Sequence, residues 1–111
     1  MWRRRFPHEH RLTALGFVAV TCLVPNIAHA EVVTGQYTGN GADSRNILYI
    51  GFQPDIVVTV GSYAASNPPF RTSTMSGDIS KSIAFSSYAS NRIQALLSDG
   101  FQIGTDADVN D

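Results

Sequence analysis

The C-terminal part of the sequence carries the residues best suited to binding a metal ion. Asp106, Asp108 and Asn110 place side-chain oxygens at alternate positions of the run Asp-Ala-Asp-Val-Asn-Asp. This spacing matches the first three ligand positions of a calcium-binding loop. Asp111 stands where such a loop has glycine, and the closing glutamate is missing. The pattern therefore leaves two interpretations, a calcium site or a solvated acidic turn.

Aromatic and amide side chains in predicted loops and at the ends of predicted strands indicate a second kind of site, one for carbohydrate or for another surface. Tyr63, Asn67 and Phe70 form one set, and Tyr88 with Asn91 forms another. Loops held by a rigid β-scaffold commonly carry binding residues of these types. The alternative for Phe70 and Tyr88 is packing in the core or at a sheet edge.

The chemistry available to residues 31–111 is limited, because this part of the chain has no histidine and no cysteine. Ser-His-Asp and Cys-His arrangements cannot be assembled, and zinc lacks its usual ligands. A carboxylate pair among Asp55, Asp78 and Asp99 remains formally available for glycoside hydrolysis. Each of these aspartates stands in a turn or at a strand entrance, where Asp serves local hydrogen bonding. The sequence therefore predicts a protein that is not an enzyme and needs no cofactor, calcium being the one candidate.

The first thirty residues have the layout of a secretory signal peptide. A basic start at Arg3, Arg4 and Arg5 precedes the apolar run 12–24, and Ala28-His29-Ala30 follows. We expect cleavage after Ala30. A membrane span needs about 20 apolar residues, so an uncleaved anchor is the weaker alternative. We therefore expect an exported protein, periplasmic or extracellular, with no membrane attachment after cleavage.

Residues 31–111 form a short, mildly acidic chain with room for one small domain. Four basic residues stand against eight acidic ones, which gives a net charge of −4. Nucleic-acid binding requires clusters of lysine and arginine, and none occurs here. Arg45, Arg71 and Arg92 are isolated charges, and we predict solvent or rim positions for them.

The stretch 51–61 is the most strand-like part of the chain. Ile56, Val57, Val58, Thr59 and Val60 form an unbroken β-branched run, which favours a pleated strand. Apolar residues on both faces predict a central strand that is covered on both sides. Proline lacks an amide hydrogen, so the residue at position 54 belongs at the entrance of this strand.

The other predicted strands are short and joined by turns. Asp-Gly at positions 99–100 lies between two apolar runs, which is a strong hairpin signal. No stretch of residues 31–111 predicts a convincing helix. We expect Val33 and Tyr37 to lie on one face of their strand, and Ile83, Phe85 and Tyr88 to point inward. The remaining strands are predicted at 32–38, 46–50, 70–75, 82–88, 92–97 and 101–104, with the 70–75 strand at a sheet edge.

Four motifs occur along residues 31–111: Tyr-Thr-Gly-Asn-Gly at 37–41, Gly-Phe-Gln-Pro-Asp-Ile-Val-Val at 51–58, Ser-Asp-Gly-Phe-Gln-Ile-Gly at 98–104, and Val-Asn at 109–110. Together they resemble a family of uncharacterised β-rich domains. That family occurs in tail and other structural proteins of tailed phages and in secreted bacterial proteins. The resemblance covers nearly all of residues 31–111, and it implies a structural or adhesive role and no catalytic residues.

Family members continue beyond the Val-Asn element with further β-structure, which this chain lacks. One explanation is a shortened reading frame. The other is a domain completed by a strand from another chain. We favour the first, since an uncovered strand edge is a liability. The sequence thus predicts an incomplete antiparallel β-sandwich or jelly-roll-like sheet pair at 31–111, which acts as a structural or interaction module. Its partner would be protein, through strand completion or self-association, and a glycan-binding module is the alternative.

Overall fold

The computed structural model describes residues 3–4, 15–23, 29–62 and 65–111. Within these residues the chain forms ten strands and one short helix, which confirms the predicted all-β class. The elements are β1 (Arg3–Arg4), β2 (Leu15–Leu23), β3 (His29–Tyr37), β4 (Arg45–Ile47), β5 (Ile56–Gly61), β6 (Pro69–Thr72), β7 (Ser80–Ser82), β8 (Tyr88–Ala89), β9 (Ile93–Leu97), β10 (Gly100–Ile103) and α1 (Ala107–Asn110).

The described strands pair antiparallel and form two sheets. The larger sheet has seven strands in the order β1-β3-β2-β5-β6-β7-β8, and the smaller has three in the order β4-β10-β9. Contacts between β6 and β9 join the sheets, and α1 contacts β5. The architecture is therefore that of an antiparallel sandwich, in which one face of each sheet points inward.

Strand β5 is the predicted central strand, and it does lie inside the larger sheet between β2 and β6. Val57 and Thr59 point inward and are fully buried, whereas Ile56 and Val60 are 39% and 49% exposed. The prediction of cover on both sides is therefore wrong. The smaller sheet packs against the inner face of β5, and the outer face keeps its apolar side chains without comparable burial. Pro54 lies just before the strand, as predicted.

The core lies between the two sheets and centres on three aromatic rings. The Phe17 ring stands 4.9 Å from that of Phe101 and 6.3 Å from that of Tyr37, measured between centroids. Such tilted and edge-on contacts stabilise aromatic pairs beyond their buried area. The shared face predicted for Val33 and Tyr37 is confirmed, and it is the inner face, since both side chains are buried. The aliphatic residues of the core are Ala19, Val33, Ile47, Ile50, Val57, Ile93, Ile103 and Val109.

The predicted Asp-Gly hairpin is confirmed by the pairing of β9 with β10. Leu97 lies opposite Gly100, so Ser98 and Asp99 form a two-residue connection. Gly100 is required for space, because a Cβ at this position would clash with the backbone oxygen of Ile47 on β4. The absence of a side chain thus lets β4 approach β10 closely.

Residues 82–88 do not form the predicted strand. The structure has β7 and β8 instead, and the segment between them lies outside the strands. Ile83, Phe85 and Tyr88 were expected to point inward, yet each is about 60% exposed, at 61%, 60% and 58%. This prediction is wrong, because the consecutive serines at 86 and 87 interrupt the alternation that a strand would need.

Two other strands are also shorter than predicted. The strand expected at 46–50 is limited to Arg45–Ile47, and the one expected at 70–75 is Pro69–Thr72. The latter strand, β6, pairs with both β5 and β7, so the prediction of an edge strand is wrong. The turn at 73–79 ends this strand early.

Helix α1 is a single turn that the sequence did not predict. Asp106 is its N-cap, and the Oδ1 atom of Asp106 accepts a hydrogen bond of 2.8 Å from the Asp108 amide. A capping aspartate stabilises a helix start by about 1 kcal/mol. Within the described residues no helix has the length and hydropathy needed to cross a bilayer.

Strand β2 and the first two residues of β3 lie inside the segment predicted as a leader. β2 occupies an interior position of the larger sheet, where it pairs with β3 over nine residues and with β5 over six. Part of the apolar run of the leader therefore contributes to the sandwich. Cleavage after Ala30 stays a prediction.

Candidate functional site

The outer side of the larger sheet carries apolar side chains on four neighbouring strands. Val18 lies opposite Val58, and Val58 lies opposite Phe70, so these three side chains share one face. Directly opposed residues of antiparallel strands point to the same side of a sheet. We call this surface the open face; it consists of Val18 and Val20 on β2, Val32 on β3, Ile56, Val58 and Val60 on β5, and Phe70 on β6.

The two faces of the larger sheet differ sharply in burial. On the inner face, Ala19 and Val57 are completely buried. On the open face, Val18 is 37% exposed and Val32 is 36% exposed. A contiguous apolar surface of this kind marks an interaction site more often than singly scattered apolar residues do. The open face is therefore the strongest candidate for a functional surface in the described part of the chain.

One end of the open face turns polar and aromatic. Phe70 on β6 lies opposite Lys81 on β7, and Lys81 lies opposite Tyr88 on β8. The Lys81 ammonium stands 5.2 Å from the centre of the Tyr88 ring, within the range of a cation–π contact. The sheet therefore ends in a rim that combines an exposed ring with a positive charge.

The structure brings together only part of the predicted carbohydrate-binding set. Phe70 and Tyr88 lie on the open face and its rim, whereas Tyr63 lies outside the described residues. Asn67 and Asn91 lie near α1 instead. The backbone amide of Asn67 donates to Asp108 Oδ1 at 3.0 Å, and the backbone carbonyl of Asn91 accepts from the backbone amide of Asp106 at 3.0 Å.

The predicted calcium ligands Asp106 and Asp108 are engaged with an arginine. Arg92 Nε stands 3.4 Å from Asp106 Oδ2, and Arg92 Nη2 stands 3.2 Å from Asp108 Oδ2. The two carboxylates thus share one guanidinium, a charge-assisted arrangement that joins α1 to the start of β9.

The third predicted ligand, Asn110, is oriented toward other partners. Its Oδ1 accepts hydrogen bonds from the backbone amide of Asn40 at 2.9 Å and from Arg45 Nη1 at 3.1 Å. Its Nδ2 donates to the carbonyls of Ala42 and Gly104 at 2.7 and 2.9 Å. A calcium ion would have to displace these protein donors. Among the described residues no group of three or more acidic, histidine or cysteine side chains is placed to hold a metal ion, and calcium binding stays a prediction.

The isolated arginines have structural roles that the sequence analysis missed. Arg71 was expected in solvent but is 6% exposed, and its guanidinium donates to three carbonyls of the turn that follows β6. Arg45 lies over the Tyr37 ring at 5.6 Å, and Arg92 holds α1. The alternation of side chains along a strand could have indicated that Arg71 is buried, because Arg71 directly follows Phe70, which faces outward.

Tyr37 connects the core to α1. Its hydroxyl donates a hydrogen bond of 2.7 Å to the carbonyl of Val109. Burial raises the pKa of Tyr37 well above its usual value, and the Arg45 charge only partly offsets that rise. The unfolded chain therefore loses this proton at lower pH than the folded protein does. The contribution of Tyr37 to stability is complete below a pH of about 10 and is lost as the pH rises further.

We expect Tyr37→Phe to lower the free energy of unfolding by about 1 kcal/mol at neutral pH, because one buried hydrogen bond is lost. The variant should also lose less stability than the wild type between about pH 9 and pH 12. Urea unfolding followed by circular dichroism across this range measures both effects. Tyr49→Phe, at a site that is 78% exposed, is the control and should change neither quantity. An unaltered alkaline slope in Tyr37→Phe would contradict the assignment.

No family model, no curated protein and no solved structure matches the chain. The resemblance to phage structural and secreted bacterial domains therefore stays a prediction from motifs, and the function has to be argued from the surfaces of the molecule itself.

Proposed function

We propose that this chain is an exported, non-catalytic structural or interaction module that binds other protein surfaces through its open face. The observation that carries the proposal is the outward row of valine, isoleucine and phenylalanine side chains on β3, β5 and β6, to which β2 adds Val18 and Val20 only while the leader is retained. Val60 and Ile56 on β5 are its most exposed members, at 49% and 39%. Covering such a surface removes apolar area from water, which drives protein association.

Other features of the chain support the same role. The leader-like segment supports export, and the lack of histidine and cysteine in residues 31–111 disfavours the common hydrolytic sites. The motif resemblance implies a structural or adhesive role. The polar rim at Lys81 and Tyr88 provides the border that interfaces usually have around an apolar centre.

A second candidate is glycan binding at the rim, and one observation favours it. The Tyr88 ring is 58% exposed on the same side of the sheet as Phe70, with the Lys81 ammonium between their strands. Exposed aromatic rings can stack against the apolar faces of sugars. A glycan array probed with wild type and Tyr88→Ala tests this candidate, which requires that binding be seen and be lost in the variant.

The open face is tested by charge substitution. We expect the wild-type protein to self-associate at high concentration, and the double variant Ile56→Lys, Val60→Lys to weaken that association by about tenfold or more, because like charges would then face each other. Sedimentation velocity measures the association constant.

Tyr49→Lys is the matched control, since Tyr49 is exposed but follows β4 of the smaller sheet. This variant should associate like the wild type. Equal weakening in both variants would contradict a specific role for the open face, and so would a wild type that stays monomeric at all concentrations.

A further inference from the structure

Strand β2 is held on both sides, although it belongs to the segment predicted to be removed on export. It pairs with β3 from Leu15 to Leu23 and with β5 from Leu15 to Val20. Because β2 is antiparallel to both neighbours, β3 and β5 run parallel to each other with one strand width between them. Cleavage after Ala30 would take both β1 and β2 away, so β3 would keep neither of its neighbours in the sheet and β5 would have one unpaired side facing it.

The inner side of this position has a defined shape. Phe17 lies opposite Gly35 and Thr59, where its ring reaches the rings of Phe101 and Tyr37. Two residues later, Ala19 lies completely buried between Val33 and Val57. The position therefore accepts a large aromatic side chain followed, at the next inward position, by a small one.

Leaving the position of β2 between β3 and β5 empty is unfavourable. Unpaired backbone groups that are shielded from water cost about as much as lost hydrogen bonds, and exposed strand edges pair readily with other chains. The loss of Phe17 and Ala19 would also uncover the buried side chains of Val33, Val57 and Phe101. The processed chain would then gain both hydrogen bonds and core burial from an inserted strand.

We propose that the space between β3 and β5 is a strand-binding site of the processed protein. Its ligand is an extended segment of another polypeptide that inserts antiparallel to both strands, with an aromatic residue at the position of Phe17 and a small residue at that of Ala19. A different polypeptide is the expected donor, because the strands from β4 to β10 keep a partner within the two sheets when β1 and β2 are removed, and β3 is itself one wall of the site. The proposal rests on the leader removal that is part of the proposed function.

The test uses the exported protein and a fluorescent peptide of residues 15–23, with Cys22→Ser and lysines added at both ends. Mass spectrometry first establishes whether the exported chain begins at Glu31. Fluorescence anisotropy should then show saturable binding in a one-to-one ratio, and circular dichroism should show a gain in β-structure. The full chain of residues 1–111 with its leader retained should exclude the peptide, because its own β2 fills the site.

Peptides with single substitutions test which side chains of the inserted strand face the core. The Phe17→Thr peptide should bind about 100-fold more weakly, as expected for truncation of a buried aromatic ring. The Val18→Thr peptide should stay within about threefold of the parent, because Val18 lies on the open face. Ala19→Leu should also abolish binding through overpacking, whereas Val20→Leu should not.

Each outcome decides a separate question. A retained leader in the exported protein would overturn both the leader removal assumed in the proposed function and this inference. A processed chain that is folded but does not bind the peptide would overturn the inference alone. So would a dimer that excludes the peptide, since a second copy would then fill the site, and so would equal binding of the Phe17→Thr and Val18→Thr peptides.

Discussion

Val57→Asp should leave the protein unfolded, whereas Val58→Asp should leave it folded. The two residues are neighbours on β5 and have the same side chain, but they point to opposite faces. Val57 is completely buried between the sheets, and Val58 is half-buried on the open face. A carboxylate at position 57 would have to lose its hydration without a partner, at a cost above about 4 kcal/mol. Domains of this size have a total stability of about 5–15 kcal/mol, so little would remain.

At position 58 the carboxylate can turn toward water, so the expected cost is about 1 kcal/mol. Urea unfolding of the two variants in the full chain, followed by far-ultraviolet circular dichroism, measures the difference. Val57→Thr and Val58→Thr keep the β-branched shape and test the same contrast without a charge. Similar losses at both positions would show that the assignment of the faces is wrong.

This contrast also shows what the sequence of β5 could predict. Five consecutive β-branched residues predict a strand whatever surrounds them, and that prediction is confirmed. They do not predict which face is covered, because valine and isoleucine occur on both. The cover is set by where β9 and α1 meet the larger sheet, and that depends on pairings between residues far apart in the sequence. The buried hydroxyl of Thr59, which has no hydrogen-bond partner among the described residues, shows that polarity did not mark the outer face.

The candidate site was less predictable than the strands. Phe70 and Tyr88 were selected as binding aromatics in two separate sets, yet they share a surface because Lys81 lies between them in the sheet register. Asp106, Asp108 and Asn110 were selected for their spacing, which is regular in the sequence. The single turn of α1 points their side chains in different directions, toward Arg92 on one side and Asn40 on the other. Spacing alone carries no information about such local partners.

Arg71→Met should destabilise the full chain by about 3 kcal/mol, although the sequence gives Arg71 the appearance of an isolated surface charge. Its Nη1 atom donates to the carbonyls of Gly77 and Ile79, both at 2.6 Å, and its Nη2 donates to that of Met75 at 2.9 Å. Burial lowers the pKa of Arg71, which the nearby Asp78 carboxylate partly restores, so the charge is held at a desolvation cost. Methionine fills a similar volume but leaves three carbonyls without this donor, and buried unsatisfied groups cost about 1–3 kcal/mol each before relaxation.

The loss should appear first in the β6–β7 connection. Hydrogen exchange measured by mass spectrometry should show faster exchange in residues 73–82 of Arg71→Met than in the wild type. Arg45→Met is the matched control, because Arg45 is half-buried and its Nη1 donates to one carbonyl, that of Thr38, at 2.6 Å. We expect that variant to lose about 1 kcal/mol and to leave exchange in residues 73–82 unchanged. If Arg71→Met had the same free energy of unfolding in urea as the wild type, the turn would be held by its own backbone. The guanidinium would then fill the space that the turn encloses without stabilising it.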